Sequence, residues 1–251
     1  MSRERVYRTR AIVLKRREQG EADRVITVFT PNTGKRTFMA RGVRKSASRK
    51  AGHLEPFTHT ALMLAKGKTW DIITAAETVT SFRILREDLD LAAHAYYFSE
   101  LIDVFTQEQD SHPELFNLLL QSLEWLETCP NPTILARWYE LRLLRLVGFQ
   151  PQLFACVECG DEIEPVTNYF SFEQGGVLCP RHGEGVRGAE HIAVGTLKVL
   201  RYLHSQPYNA VAQLQLSPGR IRQMEKVLAG HIRYVLDRRH KTPQFIHSLQ
   251  D

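Results

Sequence analysis

The period of the apolar residues changes near residue 82, and that change restricts the chain to a mixed α+β architecture, strand-rich first and helical after. Before it, short β-favouring runs alternate with turn residues. Val6–Arg16 contains Ala-Ile-Val-Leu, and Arg24–Thr30 reads RVITVFT, which puts Val25, Thr27 and Phe29 on one face. Pro31-Asn32-Thr33-Gly34 is a turn leading into Lys35–Arg41, and a glycine- and serine-punctuated loop spans Gly42–Gly52. Pro56–Ala65 and Trp70–Val79 form a further pair, joined by Lys66-Gly67-Lys68. Five short strands with tight turns favour a small closed barrel, because closure removes exposed strand edges. The strand count fits an SH3-like barrel as well as an OB-fold.

After residue 82 the spacing is helical. Leu89, Ala92, Ala93, Tyr96, Tyr97, Leu101 and Val104 form a stripe, and Glu87, Asp88 and Asp90 sit where a helix dipole favours acidic side chains. Ser111 and Pro113 mark the start of a second helix, Pro113–Thr128, with Ser111 as its cap. Cys129-Pro130-Asn131-Pro132 breaks the pattern, and a third helix covers Thr133–Val147, ended by Gly148. Two more helices are expected over Gly195–Leu203 and Ser217–Arg238. The division this implies is a barrel over 1–80 and a helical domain over 81–251, interrupted by a loop-rich segment at about 150–190.

That segment holds three of the four cysteines. Cys156-Val157-Glu158-Cys159-Gly160 and Cys179-Pro180-Arg181-His182-Gly183 are two knuckles, each presenting two ligand side chains from one turn, as tetrahedral zinc requires. The glycine after each pair allows unusual backbone angles, and Tyr169–Phe172 alternates like a small hairpin able to carry the second knuckle. A redox pair would need a thioredoxin-like βαβ setting, and His191 is the alternative to His182 as a ligand. Glu158 and Glu184 lie beside ligands, yet four protein ligands close the coordination shell, so the expected ion is one structural Zn²⁺ per chain.

Charge is asymmetric. Residues 1–80 carry 17 Lys+Arg against 7 Asp+Glu, a net of +10, and the remainder carries 16 against 21, a net of −5; together they give the overall +5. The polyanion is therefore expected at the barrel. The candidate DNA-binding residues are Arg16, Arg17 and Arg24 beside the first strands, Lys35 and Arg36 after the turn, and Arg41, Arg44, Lys45, Arg49 and Lys50 in a loop whose small residues suggest mobility. Phe38, Phe57 and Trp70 are possible stacking surfaces, with burial in the barrel the competing role. No apolar run approaches the roughly 18 residues that span a bilayer. The segment Met1–Arg10, with four arginines, is followed by an apolar stretch too short for a signal peptide, so a cytosolic chain is expected.

The string AIVLKRREQGEADRVITVFTPNTGKRTFMARGVRK, followed by LEPFTHTALML, resembles the first domain of the RecO family of bacterial recombination mediators. The matching features, in order, are Glu18–Asp23, Val25–Thr30, Gly34, Ala40–Arg44 and Leu54–Phe57; Tyr139–Leu141 through Leu146–Pro151 is similar to the family's helix before the cysteines. The resemblance covers nearly the whole chain. It implies an N-terminal five-stranded OB-fold, a helical domain and a zinc site, here departing from four cysteines at His182.

It also implies a cytoplasmic, nucleoid-associated DNA repair protein without enzymatic chemistry. Such a protein binds single-stranded and duplex DNA, anneals complementary strands, partners RecR, and helps recombinase replace single-strand-binding protein. The acidic tail of single-strand-binding protein, which ends in phenylalanine, then needs a slot, and the helix face Arg137, Leu141, Leu144 and Arg145 offers cations and apolar residues at suitable spacing. Two alternatives are a zinc-dependent nucleic-acid-processing enzyme on an OB scaffold and a pure bridging protein. The first lacks a phosphate-cradling glycine loop, an H-E-x-x-H pair or a paired-carboxylate site.

Overall fold

This computed structural model describes residues 6–248, with side chains described through residue 237. Arg3 and Arg5 of the basic N-terminal segment lie outside the described residues. The chain forms two compact units, Met1–Cys129 and Pro130–Asp251.

In the first unit, β1 (Val6–Gln19), β2 (Asp23–Thr30), β3 (Gly34–Ala40), β4 (His59–Ala65) and β5 (Asp71–Thr80) close into a barrel of order β1-β2-β3-β5-β4. The length of β1 makes closure possible. Its first half pairs with β4 and its second half with β2, and the register shifts between Val13 and Lys15, where a bulge lets the strand bend from one partner to the other. β3 meets β5 in a short parallel ladder at Phe38 and Met39. Ala11, Val13, Ile26, Val28, Phe38, Ala40, Leu62, Leu64 and Ile73 fill the interior. The other face of β2 is covered too: Phe29 stacks on Phe116 with ring centroids 6.5 Å apart.

Phe116 belongs to α3 (Pro113–Leu126), which follows α1 (Arg83–Glu87) and α2 (Leu89–Phe105). These three helices belong to the compact unit that holds the barrel. Asp88 caps α2, its carboxylate accepting from the amides of Asp90 and Leu91, as the local acidity suggests. The apolar stripe of α2 is rotated from the expected one: Ala95, Phe98, Ile102 and Phe105 are buried, whereas Leu89 is 88% exposed. Leu89 opens the helix and extends past the surface that the following turns cover. Ser111 is not the cap of α3. His112 takes that position without a side-chain bond, and the Ser111 hydroxyl donates instead to the carbonyl of Pro31. Gly34, at φ +59°, allows the β2–β3 turn to lie against Asp110, whose carbonyl an added Cβ would overlap at 1.7 Å.

The second unit begins with α4 (Pro132–Leu146), capped by the Asn131 side chain and led by a proline. It ends at Gly148, whose φ of +81° and the bond from Phe149 N to Leu144 O close the last turn. β6 (Asn168–Ser171), β7 (Gly176–Leu178) and β8 (Glu190–Ile192) form a sheet of order β7-β6-β8, and α5 (Pro180–Gly183) follows β7 directly. α6 (Val194–Ser205), α7 (Tyr208–Val211) and α8 (Pro218–Ser248) complete the unit. The last helix runs ten residues past the expected end at Arg238. His231 on α8 is buried, and its ring is 2.9 Å from the carbonyl of Phe149.

Candidate metal centre and nucleic-acid interface

The β6–β7 hairpin delivers Cys179 to the knuckle that precedes it in sequence. Val157 N donates to Val177 O at 3.0 Å, and Val177 N donates to Gln152 O at 2.9 Å, so the first knuckle lies along β7. Gly160 has the expected positive φ, +78°. Gly183 does not need one; it is required because the Tyr169 ring packs there, 2.3 Å from where a Cβ would sit. The Cys156, Cys159 and Cys179 sulfurs and a His182 ring nitrogen lie within 4.8 Å of one another. Nδ1 of His182 is 3.2 Å from Cys179 Sγ and 3.9 Å from Cys156 Sγ. Ligand atoms of a zinc tetrahedron with bonds of about 2.0–2.3 Å stand roughly 3.5 Å apart, so this donor set fits one ion. Burial pushes the Cys156 thiol up, but amides of Cys159, Cys179 and Glu158 directed at its sulfur outweigh that and bring it below the ordinary thiol range. His191 is not in the cluster; it stacks on Tyr169 at 4.5 Å.

The loop 41–50 is tied down rather than loosely held. Val43 is fully buried among the barrel residues, Gly42 N donates to Asp23 Oδ1 at 2.7 Å, and Arg44 N donates to Ala22 O at 2.9 Å. These bonds set the loop against the β1–β2 turn. The ten candidate cations then separate by what they touch. Arg16 and Arg24 share Glu55, Lys35 pairs with Asp103 at 3.2 Å, Arg36 reaches Asp71 at 3.8 Å, and Arg44 reaches Glu18 at 3.3 Å. Lys50 donates to the carbonyls of Arg41 and Ile73, and its burial lowers its pKa. Arg17, Arg41, Lys45 and Arg49 are exposed and, among the described residues, have no carboxylate within ion-pair distance. Phe38 and Phe57 are buried and offer no stacking face; Trp70 is half-buried.

The expected tail slot on α4 is not open. Leu141 and Leu144 have 1% and 0% exposure, because α4 packs as a core helix buried on most of its circumference. Arg137 is also buried and bound to Glu140 at 2.9 Å, which leaves Arg145 as the exposed member of that set. The sequence reading missed Arg8 and Arg10, two residues apart and hence on one side of β1. They line a groove of about 690 Å³ over β4 and β5, floored by Ala61, Met63 and Ala75 and edged by Glu77. Their alternation within a strand that buries its neighbours downstream was the available signal.

A closed five-stranded barrel carrying unpaired cations, followed by a helical unit with a Cys₃His cluster, defines a two-unit α+β protein of the barrel-plus-knuckle kind. The profile for "Recombination protein O N terminal" matches residues 1–82, and that for "Recombination protein O C terminal" matches residues 86–244. The chain belongs to the RecO family. It is 40% identical over 244 residues to the DNA repair protein RecO of Roseiflexus sp. (strain RS-1), covering 97% of this chain and 86% of that protein. It is 34% identical over 250 residues to the DNA repair protein RecO of Dehalococcoides mccartyi (strain CBDB1), covering 100% of this chain and 98% of the relative. Among the described residues no helix is long and apolar enough to cross a membrane.

Proposed function

We propose that this chain is a DNA-binding recombination mediator in DNA repair. It anneals complementary strands and helps load recombinase on single-stranded DNA coated by single-strand-binding protein. The barrel, read as an OB-fold over residues 1–80, is the DNA-binding module. The observation that carries the reading is the set of unpaired cations Arg17, Arg41, Lys45 and Arg49, held at one end of a barrel in a chain whose relatives are named DNA repair proteins. Backbone contacts by such groups are independent of base sequence, which suits a protein that must accept any strand. Arg8 and Arg10 extend the surface that single-stranded or duplex DNA can meet.

One structural zinc on Cys156, Cys159, Cys179 and His182 would hold the two knuckles together. Four protein ligands leave no coordination position for a reacting water, which supports a binding protein over a zinc-dependent nucleic-acid-processing enzyme. A RecR-like partner, the tail of single-strand-binding protein and a cytoplasmic, nucleoid-associated location complete the proposal. A salt titration of binding to single-stranded DNA, without divalent metal, tests it. Tight, sequence-independent binding that weakens with salt is expected, and changing Arg17, Arg41, Lys45 and Arg49 together to Glu should abolish most of it. Unchanged binding in that variant would place the DNA surface elsewhere, and strand cleavage by the wild type would favour the enzyme.

A further inference from the structure

We propose a second single-stranded DNA contact on the helical unit, formed by Arg142, Arg145 and Arg201 around Phe154 and His204; it rests on the DNA-binding reading above. The unit carries 14 Lys+Arg against 11 Asp+Glu, and these three arginines are close together without a counter-ion. Among the described residues none of them has a carboxylate within ion-pair distance, and Glu162 is near enough only to influence Arg201 at longer range.

Arg142, Arg201 and His204 are held by the contacts around them. Arg142 donates to the carbonyls of His204 at 2.9 Å and Gln206 at 2.6 Å, with its guanidinium over the Trp138 ring. Arg201 donates through Nε to Leu153 O at 2.8 Å and lies 5.2 Å from the centre of the Phe154 ring, and its buried Nη2 has no hydrogen-bond partner. The His204 ring meets Phe154 edge-on at 5.6 Å, and both its nitrogens are buried without a partner. Burial first, then the positive charges of Arg142 and Arg145, lower the pKa of that imidazole below the ordinary histidine value. Arg145 is exposed, and Phe154 is 43% exposed on a short turn whose base is closed by the bond from Ile163 N to Phe154 O.

An accessible aromatic ring backed by a guanidinium, beside cations with unfilled donors, matches a base with its flanking phosphates. A base stacks on the exposed ring while Arg145 and Arg201 bind the backbone. An acidic peptide would use the cations but has no general need for a stacking face, so single-stranded DNA is the favoured occupant.

The test uses the full-length, metal-loaded chain and an all-thymine oligonucleotide. Arg145→Glu and Phe154→Ala should each weaken binding about tenfold, the loss of one stacked base or one well-placed phosphate contact, and Arg145→Lys should restore most of the first. In a chain already carrying Lys45→Glu and Arg49→Glu, adding Arg145→Glu should remove the residual binding. Wild-type affinity and salt slope in both single variants would overturn the inference while leaving the barrel reading standing. If both variants instead lost binding to an acidic peptide ending in phenylalanine and kept DNA binding, the site would be a peptide site and the inference would fall. If the wild type bound no oligonucleotide, the DNA-binding reading itself would fail.

Discussion

The chain stabilises two irregular regions by opposite means. The loop 41–50 is held by the barrel it leaves: Val43 is inserted among barrel side chains, and backbone bonds tie the loop to the turn that ends β1. The 150–190 segment has short strands and a three-stranded sheet, and it draws two distant knuckles onto one point where four metal-binding atoms meet. A loop that borrows a core survives loss of any single side chain in proportion to the surface buried. A segment organised around one ion, as the Cys₃His cluster would allow, would depend on that ion far more than on any single side chain.

The largest effect follows from that dependence. Cys159→Ser, or chelation, should lower the stability of the helical unit by roughly 5 kcal/mol or more, since structural zinc contributes about 10–16 kcal/mol to isolated knuckle-type peptides. Hydrogen exchange followed separately in the two units checks it: protection should fall across 150–190 and persist in β1–β5. Metal analysis of the purified, reduced wild type should return one zinc per chain. Equal loss of protection in both units would break the contrast. The counterpart in the barrel is smaller. Val43→Ala removes two methyl groups from a fully buried position and should cost about 2 kcal/mol, with a shift in barrel unfolding that chelation does not deepen.

The same contrast explains what could be read in advance. The knuckles were legible because metal coordination imposes local spacing, and the barrel strands because alternation imposes period two. Pro132 and Gly148 mark the ends of α4 through backbone chemistry that no packing partner alters. What stayed hidden depends on residues far apart. Lys35 meets Asp103 across 68 positions, and no local pattern says that this cation is neutralised. Spacing placed Arg137, Leu141 and Leu144 on one face of α4, but it could not say that the face is covered. The glycines and serines of 41–50 suggested mobility, because the bonds from Gly42 and Arg44 go to a turn known only after β1 and β2 have paired.

Acid should separate the units next. His59 in the barrel and His204 and His231 in the helical unit are all held below the ordinary histidine value, first by burial. Their unfolded pKa is about 6.5, so the stabilisation from staying neutral is complete above that pH and is lost as pH falls below it. With two such histidines against one, the helical unit should lose more stability between pH 7 and pH 5. Asp71 of the barrel and Asp103 of α2, both in the first unit, are net lowered: burial raises each, but hydrogen bonds and cations outweigh it. Their contribution persists through that window and is lost only as pH falls through their own depressed values. Urea unfolding of each unit at several pH values decides the order, and equal slopes would refute it.

The smallest expected effect tests whether ion pairing inside the barrel decides which cations meet DNA. Lys45 is exposed and without a carboxylate, whereas Arg36 is held near Asp71 at 3.8 Å and lies over the Phe38 ring. A cation already neutralised releases few counter-ions from a phosphate, because it must first leave its partner. A free one releases close to a full share, about 0.7 in the salt slope for a single strand. Lys45→Gln should therefore reduce the slope of log affinity against log salt by about 0.7, and Arg36→Gln by much less. Arg36→Gln should instead loosen the contact around Asp71, whose carboxylate also accepts from Tyr7 at 2.5 Å, and so show in barrel stability rather than in binding. Binding isotherms for both variants at four salt concentrations give the two slopes. Equal reductions would mean that Arg36 exchanges Asp71 for phosphate, and that the pairs seen in the free protein do not predict its DNA contacts.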